Sequence, residues 1–468
     1  MKARESCGVV GIYGVPDAAV KVYYALYALQ HRGQESAGIV ASDGERVRSK
    51  KDLGLVRDAI SRADLAHLPG HIATGHVRYS TTGAKRVQNI QPLVIEYARA
   101  LVAVAHNGNL VNARTLRHEL GERGAIFQTS TDSELIVHLM AGSRIADVKE
   151  CLTESFLKLS GAFSFVIMTQ DKLFGVRDPQ GFRPLCIGKF KDGWAIVSET
   201  CALDLIGADF VREIEPGEIV CADSDGLSSW RFADEPRPKR AHCIFEHVYF
   251  ARPDSYVFGD SVHMVRVGLG KNLAREHPAG ADVVMPLPDS GNSVALGYSR
   301  ESGIPFDLGI IRNHYVGRTF IMPGQTDRVE DVNLKLNVVK ESVRGKSVVL
   351  VEDSIVRGTT LKAKLGMVRR AGAKEIHIRI SCPPICFPCY YGIDFPTKKE
   401  LVAGQRSVDE VRKFLGADSL GYLSEEGLLA AVSGPPEDYC VACFTGRYPV
   451  ACEAGMEDKL ALESRVVS

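Results

Sequence analysis

The sequence predicts two successive folding units: an α+β half, then an α/β half built on a parallel sheet. Three observations carry that prediction. Up to about residue 235 the chain holds many short β-type runs, among them "CGVVGIYG", "HIATGHVRYS", "ALVAVAHNG" and "FSFVIMTQ". Helix-like segments around 17–31 and 131–145 interrupt them, which suits sheets covered by helices. In the second half strand-like and helix-like stretches alternate, as they do where crossover helices join parallel strands. Between the halves, "FADEPRPKRAHC" (232–243) is charged, carries two prolines and reads as a linker. A length of 468 residues accommodates two or three domains.

The first strand-like run starts directly at Cys7, after "MKARES". Unpaired cysteines are commonly core residues, so by itself this thiol signals nothing. In the second half, "ADVVMPLP" (281–288) reads as a strand, "NSVALGYSRESG" as a helix and "FDLGIIR" (306–312) as the next strand. The pattern repeats with "SVVLVED" (347–353), "TTLKAKLGMVRRAGA" and "IHIRIS" (376–381). Binding loops on such sheets sit at the carboxyl ends of the strands. From about 400, "SVDEVRKFLGADSLGYLSEEGLLAAV" reads as helical and leads into "YCVACFTGRYP".

Lysine plus arginine and aspartate plus glutamate both number 57, a formal net charge of zero, so nucleic acid is not the expected partner. No stretch approaches the ~20 apolar residues that span a bilayer, which excludes a membrane-spanning helix. The first six residues lack the apolar run of a secretory signal, and the expected location is cytoplasmic. Twelve cysteines in a large chain without an export signal read as reduced thiols. Seven of the twelve follow position 240, which points to metal-binding or catalytic sulfur there.

The strongest local signal is "VVLVEDSIVRGTT" (348–360). An apolar strand ends in Glu352 and Asp353, and a short loop feeds a helix starting near Thr359. Backbone N–H groups there, with the hydroxyls of Ser354, Thr359 and Thr360, form a cradle for a monophosphate. The carboxylates cannot hold phosphate, but they suit ribose hydroxyls or Mg²⁺. This stretch resembles the phosphoribosyl diphosphate loop of the phosphoribosyltransferases. With "PLPDSGNSVALGYS" and "RNHYVGRTFI", the chain from Cys7 to about Pro449 resembles the glutamine-dependent amidophosphoribosyltransferase family.

That resemblance implies a phosphoribosyltransferase-type domain over 256–400, preceded by a linker over 236–255. Asp289, Ser290 and Gly291 fall in its diphosphate loop, and Arg357, Gly358, Thr359 and Thr360 in its 5′-phosphate loop. Ser290, Glu352 and Asp353 are the implied Mg²⁺ contacts. Glu352 stands where the family has an aspartate, and adds a methylene. The segment from Arg312 to Asn337 resembles a loop that closes over substrate and excludes water.

For residues 7–235 the resemblance implies a four-layer αββα glutamine amidotransferase with an N-terminal nucleophile. "CGVVGIYG" is similar to the mature start of such enzymes, so "MKARES" (1–6) is the expected propeptide. Its removal would leave Cys7 with an α-amine titrating near ~8, able to take the proton of a thiol near ~8.5. Arg78 in "GHVRYSTTG" and Asp132 in "STDSE" are the implied grips for the α-carboxylate and α-ammonium of glutamine. Asn107 and Gly108 in "HNGNL" are the implied oxyanion hole. "HRGQESAG" (31–38) and "RDPQGFRPL" (177–185) are similar to segments that brace the pocket.

"YCVACF" is a Cys-x-x-Cys, which by spacing suits zinc, a redox pair or an iron–sulfur cluster, with Cys243, Cys382, Cys386 and Cys389 as further donors. The resemblance selects the family's iron–sulfur subgroup and assigns Cys243, Cys389, Cys440 and Cys443 to a 4Fe-4S cluster. These ligands would tie the linker and the tail, 401–468, to the transferase domain. The implied reaction forms 5-phospho-β-D-ribosylamine, glutamate and diphosphate from phosphoribosyl diphosphate, glutamine and water, the first committed step of purine synthesis. A homotetramer inhibited by purine nucleotides is likewise implied. A hexosamine-phosphate synthase would share the glutaminase half but lack the "EDSIVRGTT" loop. A regulator that binds phosphoribosyl diphosphate without turnover would not need Cys7, Arg78, Asn107, Gly108 and Asp132 together.

Overall fold

The computed structural model describes residues 7–79, 86–97, 100–233, 239–313, 336–395, 397–453 and 462. The expected propeptide, residues 80–83 of the arginine motif and most of the expected closing loop (314–335) lie outside the described residues.

Two antiparallel sheets organise the first half. In one, Gly8–Tyr13 is flanked by Ile72–Arg78 and Trp194–Val197 in a seven-stranded order. The other has six strands, with Ala100–Leu110, Gly161–Met168 and Leu173–Arg177 at its centre. The facing sides meet in a core of Val9, Val40, Ile72, Ala103, Ala105, Val166, Ile187, Ile196 and Val220. Strands buried on both faces read as near-continuous apolar runs, and this is why "CGVVGIYG" lacks alternation. The outer face of the first sheet packs on helices Ala18–Ala28 and Thr200–Ile206. The outer face of the second packs on Ala113–Glu122, Leu135–Gly142 and Val148–Leu157. The order is helix, sheet, sheet, helix, the αββα sandwich expected.

The second half holds a four-stranded parallel sheet in the order Val283–Pro286, Ser347–Glu352, Glu375–Ile380, Ser419–Tyr422. Three expectations need correction. "FDLGIIR" does not supply the next parallel strand. It contributes one bridge, Phe306 to Val284, and Ile310–Arg312 then pairs antiparallel with Leu336–Val338 in a separate ribbon. The tail from 401 is not purely helical, because Ser419–Tyr422 completes the parallel sheet, so that unit runs past residue 400. Nor do the described residues of the expected linker, 239–255, stand apart from the core. Ile244, Phe245, Glu246, His247 and Val248 are fully buried. The polar composition that suggested a linker ends near Cys243, and the aromatic run after it packs as core.

That buried segment carries a carboxylate into an ionic network between the halves. Arg32 reaches Glu199 at 2.5 Å and also pairs with Glu246, and Arg183 reaches Glu246 at 3.1 Å. All four side chains are inaccessible to solvent. His31 adds a contact to Glu199 at 2.7 Å. "HRGQESAG" and "RDPQGFRPL" thus supply two arginines that hold the first half to the segment 244–250.

Candidate functional site

Cys7 directly precedes the central strand of the first sheet. The register sets Gly8 opposite Val77, so Cys7 stands level with Arg78. Its thiol is buried and donates to the Tyr79 carbonyl at 3.5 Å. Burial pushes the thiol pKa up; the Tyr79 contact and the Arg78 charge oppose that, while Asp132 and Glu35 add to it. Cys7, Arg78 and Asp132 are therefore within electrostatic reach of one another, although 125 positions separate the first from the last.

Asp132 opens a short 3-10 turn ahead of helix Leu135–Gly142. One carboxylate oxygen accepts the Leu110 N–H at 2.9 Å and the other faces His106 Nδ1 at 3.7 Å. Burial works against ionisation, but His106 and these hydrogen bonds prevail and hold Asp132 below the usual carboxylate range. An ionised, buried acid is suited to an α-ammonium group.

Asn107 lies on Ala100–Leu110, fully buried, and both polar atoms of its carboxamide lack a partner among the described residues. A buried amide without hydrogen bonds costs roughly 1–3 kcal/mol, so it calls for a ligand. Next to it Gly108 has φ +150°, and a Cβ there would sit 2.0 Å from the Ala162 carbonyl of the neighbouring strand. Only glycine fits, and an unpaired amide beside a glycine N–H is an arrangement able to receive an oxyanion.

The second site forms at the carboxyl ends of two adjacent parallel strands. After Val283–Pro286 come Asp289, Ser290 and Gly291; after Ser347–Glu352 comes the loop to helix Thr359–Arg370. The Ser290 hydroxyl lies against Asp353 and 3.3 Å from Glu352 Oε1, so the two loops meet. A Cβ on Gly291 would approach the Val351 carbonyl at 2.4 Å, which explains the glycine. Ser354 donates to Asp353 at 2.5 Å. Gly358, at φ +75°, turns the chain into the helix, where Thr359 is exposed and Thr360 half-buried. Arg357 contacts Glu400 at 2.5 Å, and Arg312 pairs with Asp289.

The sequence reading missed Lys364. Its ammonium lies 2.7 Å from Glu352 Oε2, with the two side chains 7% and 3% exposed. The signal was available: Leu361, Lys364, Leu365 and Val368 form the buried stripe of one helix, and a lysine in such a stripe needs an anion. The longer Glu352 has one oxygen bound to that lysine, leaving Oε1 toward Ser290. Two carboxylates and a hydroxyl are hard donors that fit Mg²⁺, which usually takes one or two carboxylates from protein and the rest from water and phosphate.

The cysteines converge from three segments. Strand His242–Cys243 pairs in parallel with Tyr439–Cys440, setting Cys243 opposite Cys440. The Cys443 carbonyl accepts the N–H groups of Cys386 and Phe387 at 3.1 Å, drawing in the loop that bears Cys389. Burial raises the thiol pKa of Cys440 and of Cys443, and the charges of Cys243 and Cys389 raise both further. All twelve cysteines are free. Among the described residues, no three His, Cys, Asp or Glu side chains are arranged to hold a metal ion.

Known proteins join the two sites in one chain. Residues 76–204 match a glutamine amidotransferase domain and residues 268–386 a phosphoribosyl transferase domain. The chain is 51% identical to the amidophosphoribosyltransferase of Methanocaldococcus jannaschii over 460 residues, 95% of this chain and 97% of that one. It is 47% identical to the Bacillus subtilis amidophosphoribosyltransferase over 451 residues, 95% of this chain and 94% of the relative. A solved glutamine phosphoribosylpyrophosphate amidotransferase from B. subtilis, complexed with ADP and GMP, superposes with a TM-score of 0.91 at 46% identity, over 96% of this chain and 98% of its own. Identity of this order over nearly the whole length of both chains has one meaning: the chain belongs to the amidophosphoribosyltransferases.

Proposed function

We propose that the site around Cys7 releases ammonia from glutamine and that the Ser290–Asp353 site adds it to phosphoribosyl diphosphate. Arg78 grips the α-carboxylate of glutamine and Asp132 its α-ammonium. Once residues 1–6 are removed, the α-amine of Cys7 takes the thiol proton and Sγ attacks the side-chain amide. Asn107 Nδ2 and the Gly108 N–H stabilise the tetrahedral oxyanion, ammonia leaves, and water hydrolyses the thioester to glutamate. The observation that carries this reading is the buried carboxamide of Asn107, without a partner among the described residues.

In the second site, Asp289, Ser290 and Gly291 receive the diphosphate. The 354–360 loop, with Arg357, Gly358, Thr359 and Thr360, receives the 5′-phosphate. Glu352 and Asp353 face the ribose. Ammonia attacks C1 as diphosphate departs, with inversion, giving 5-phospho-β-D-ribosylamine. Mg²⁺ held by Ser290, Glu352 and Asp353 would neutralise charge on the leaving diphosphate.

Cys243, Cys389, Cys440 and Cys443 are read as ligands of a structural 4Fe-4S cluster. Three buried thiols, Cys243, Cys440 and Cys443, with the half-buried Cys389 in electrostatic reach of them, support it. The ADP and GMP complex of the B. subtilis relative supports inhibition by purine nucleotides here. A homotetramer and a cytoplasmic location complete the proposal; among the described residues no helix is long and apolar enough to cross a membrane.

Intact-mass analysis of anaerobically purified protein, with Cys7→Ser beside it, tests the proposal. The expected results are a chain six residues short, bound iron and sulfide, and a Cys7→Ser variant that uses ammonia but not glutamine. A fully active enzyme that keeps residues 1–6 would overturn it.

A further inference from the structure

We propose that the Cys389–Gly392 turn is a positioning element for the glutaminase oxyanion strand, with Asn109 carrying the grip. The inference rests on the reading of Asn107 and Gly108 given above. Asn109 lies two residues past Asn107 on Ala100–Leu110, is buried, and donates from Nδ2 to the Tyr390 carbonyl at 2.9 Å, across 281 positions. Gly392 has φ +99°, and a Cβ on it would lie 3.0–3.2 Å from the backbone C, Cα and O of Gly108, so the two glycine backbones pack together. Buried Arg183 donates to the Tyr391 carbonyl from Nε at 3.2 Å and Nη2 at 2.7 Å. The Tyr391 ring stacks on Phe182 with centroids 4.3 Å apart.

Three consecutive residues of the turn are thus held by the glutaminase half. At the turn's other end, the Tyr391 N–H donates to Cys389 Sγ at 3.3 Å. The physical need is plain. An oxyanion hole contributes only when its donors are fixed before charge develops. Gly108 supplies one of them from the residue type with the greatest backbone freedom. Asn109 on one side and Gly392 against its own backbone remove that freedom, so the position of Cys389 reaches the Gly108 N–H through two contacts.

The test uses the full, iron-loaded enzyme carrying Asn109→Ala, Asn109→Asp or Asn107→Ala. Asn109→Ala is expected to lower the glutamine-dependent kcat about tenfold, the worth of one neutral hydrogen bond, with the KM for glutamine within twofold of wild type. Asn109→Asp should cost more, since a carboxylate would face the Tyr390 carbonyl. Ammonia-dependent synthesis and iron content should hold, and the peptide covering 106–112 should exchange deuterium faster. Should Asn109→Ala shed iron, Asn109→Leu, which fills the volume without a donor, provides the same comparison. Unchanged kcat in both Asn109→Ala and Asn109→Asp, or equal loss of the two activities, overturns the inference. If Asn107→Ala is also silent, the oxyanion reading itself falls; if Asn107→Ala alone is crippled, only the role of the turn does.

Discussion

Replacing Lys364 by methionine isolates the buried pair at the phosphoribosyl site. Wild type holds the Lys364 ammonium 2.7 Å from Glu352 with both side chains under a tenth exposed. The substitution keeps the volume of the stem and deletes the charge, leaving a carboxylate oxygen buried without its cation. Breaking a buried pair by removing one partner costs about 3–5 kcal/mol. Ser290 still faces Glu352 Oε1 at 3.3 Å, which favours the lower end. At roughly 2–4 °C per kcal/mol for a domain of this size, a 3 kcal/mol loss lowers the melting transition by about 6–12 °C. The assay is calorimetry of Lys364→Met, Glu352→Gln and the double variant, without ligands. In the double variant no charge is left unpaired, so most of the lost melting temperature should return. A single Lys364→Met variant that melts with wild type, or a double variant that melts below both singles, would falsify the pairing as the reason this chain tolerates glutamate at position 352.

If the proposed cluster is held by these cysteines, Cys440→Ser should give colourless protein that folds poorly, because metal binding energy is also folding energy; soluble, active, iron-free enzyme would contradict the structural role. Stability should fall on acidification below ~6.5. Burial lowers His76 and His242 to about 3 and His247 to about 4, so their contribution, present above the unfolded histidine value near ~6.5, is lost as pH falls toward the folded values. Asp178, raised to about 6 by burial, acts oppositely and stabilises as pH falls from 6 toward ~4. Three protons against one leave a net slope of about 2.7 kcal/mol per pH unit between 6 and 4. A urea midpoint that stays flat from pH 7 to 4.5 would count against it.

The second site was legible because its chemistry is contiguous: an apolar strand, two acids, a short loop and two threonines lie within thirteen residues. Cys7, Arg78, Asn107, Gly108 and Asp132 were legible only through resemblance, since no spacing rule brings residue 7 beside residue 132. What failed had physical causes. "FDLGIIR" has the composition of a buried strand, but only Phe306 reaches Val284 before the chain pairs with 336–338 instead. Ser419–Tyr422 is four residues long, too short to show alternation between two helical stretches. Lys364 carried a readable signal that went unused. The partners of Asn109, Arg183 and Glu246 belong to tertiary structure alone.

Those tertiary partners bear on how two chemistries stay in one geometry. Arg32, Arg183, Glu199 and Glu246 balance two positive charges with two negative ones in a site closed to water. An apolar contact of similar volume would often hold as well or better, so stability is not what such a network provides. What it provides here is one satisfied arrangement, because any slip between the halves strands a buried charge. Glu246 lies three residues past Cys243, and Arg183 also holds the Tyr391 carbonyl, so the same ions register the cysteine segments against the glutaminase strands. Ammonia that escaped to neutral water would be mostly ammonium, which has no lone pair to offer C1. A pair of sites that must pass a neutral nucleophile gains directly from an interface that cannot slide.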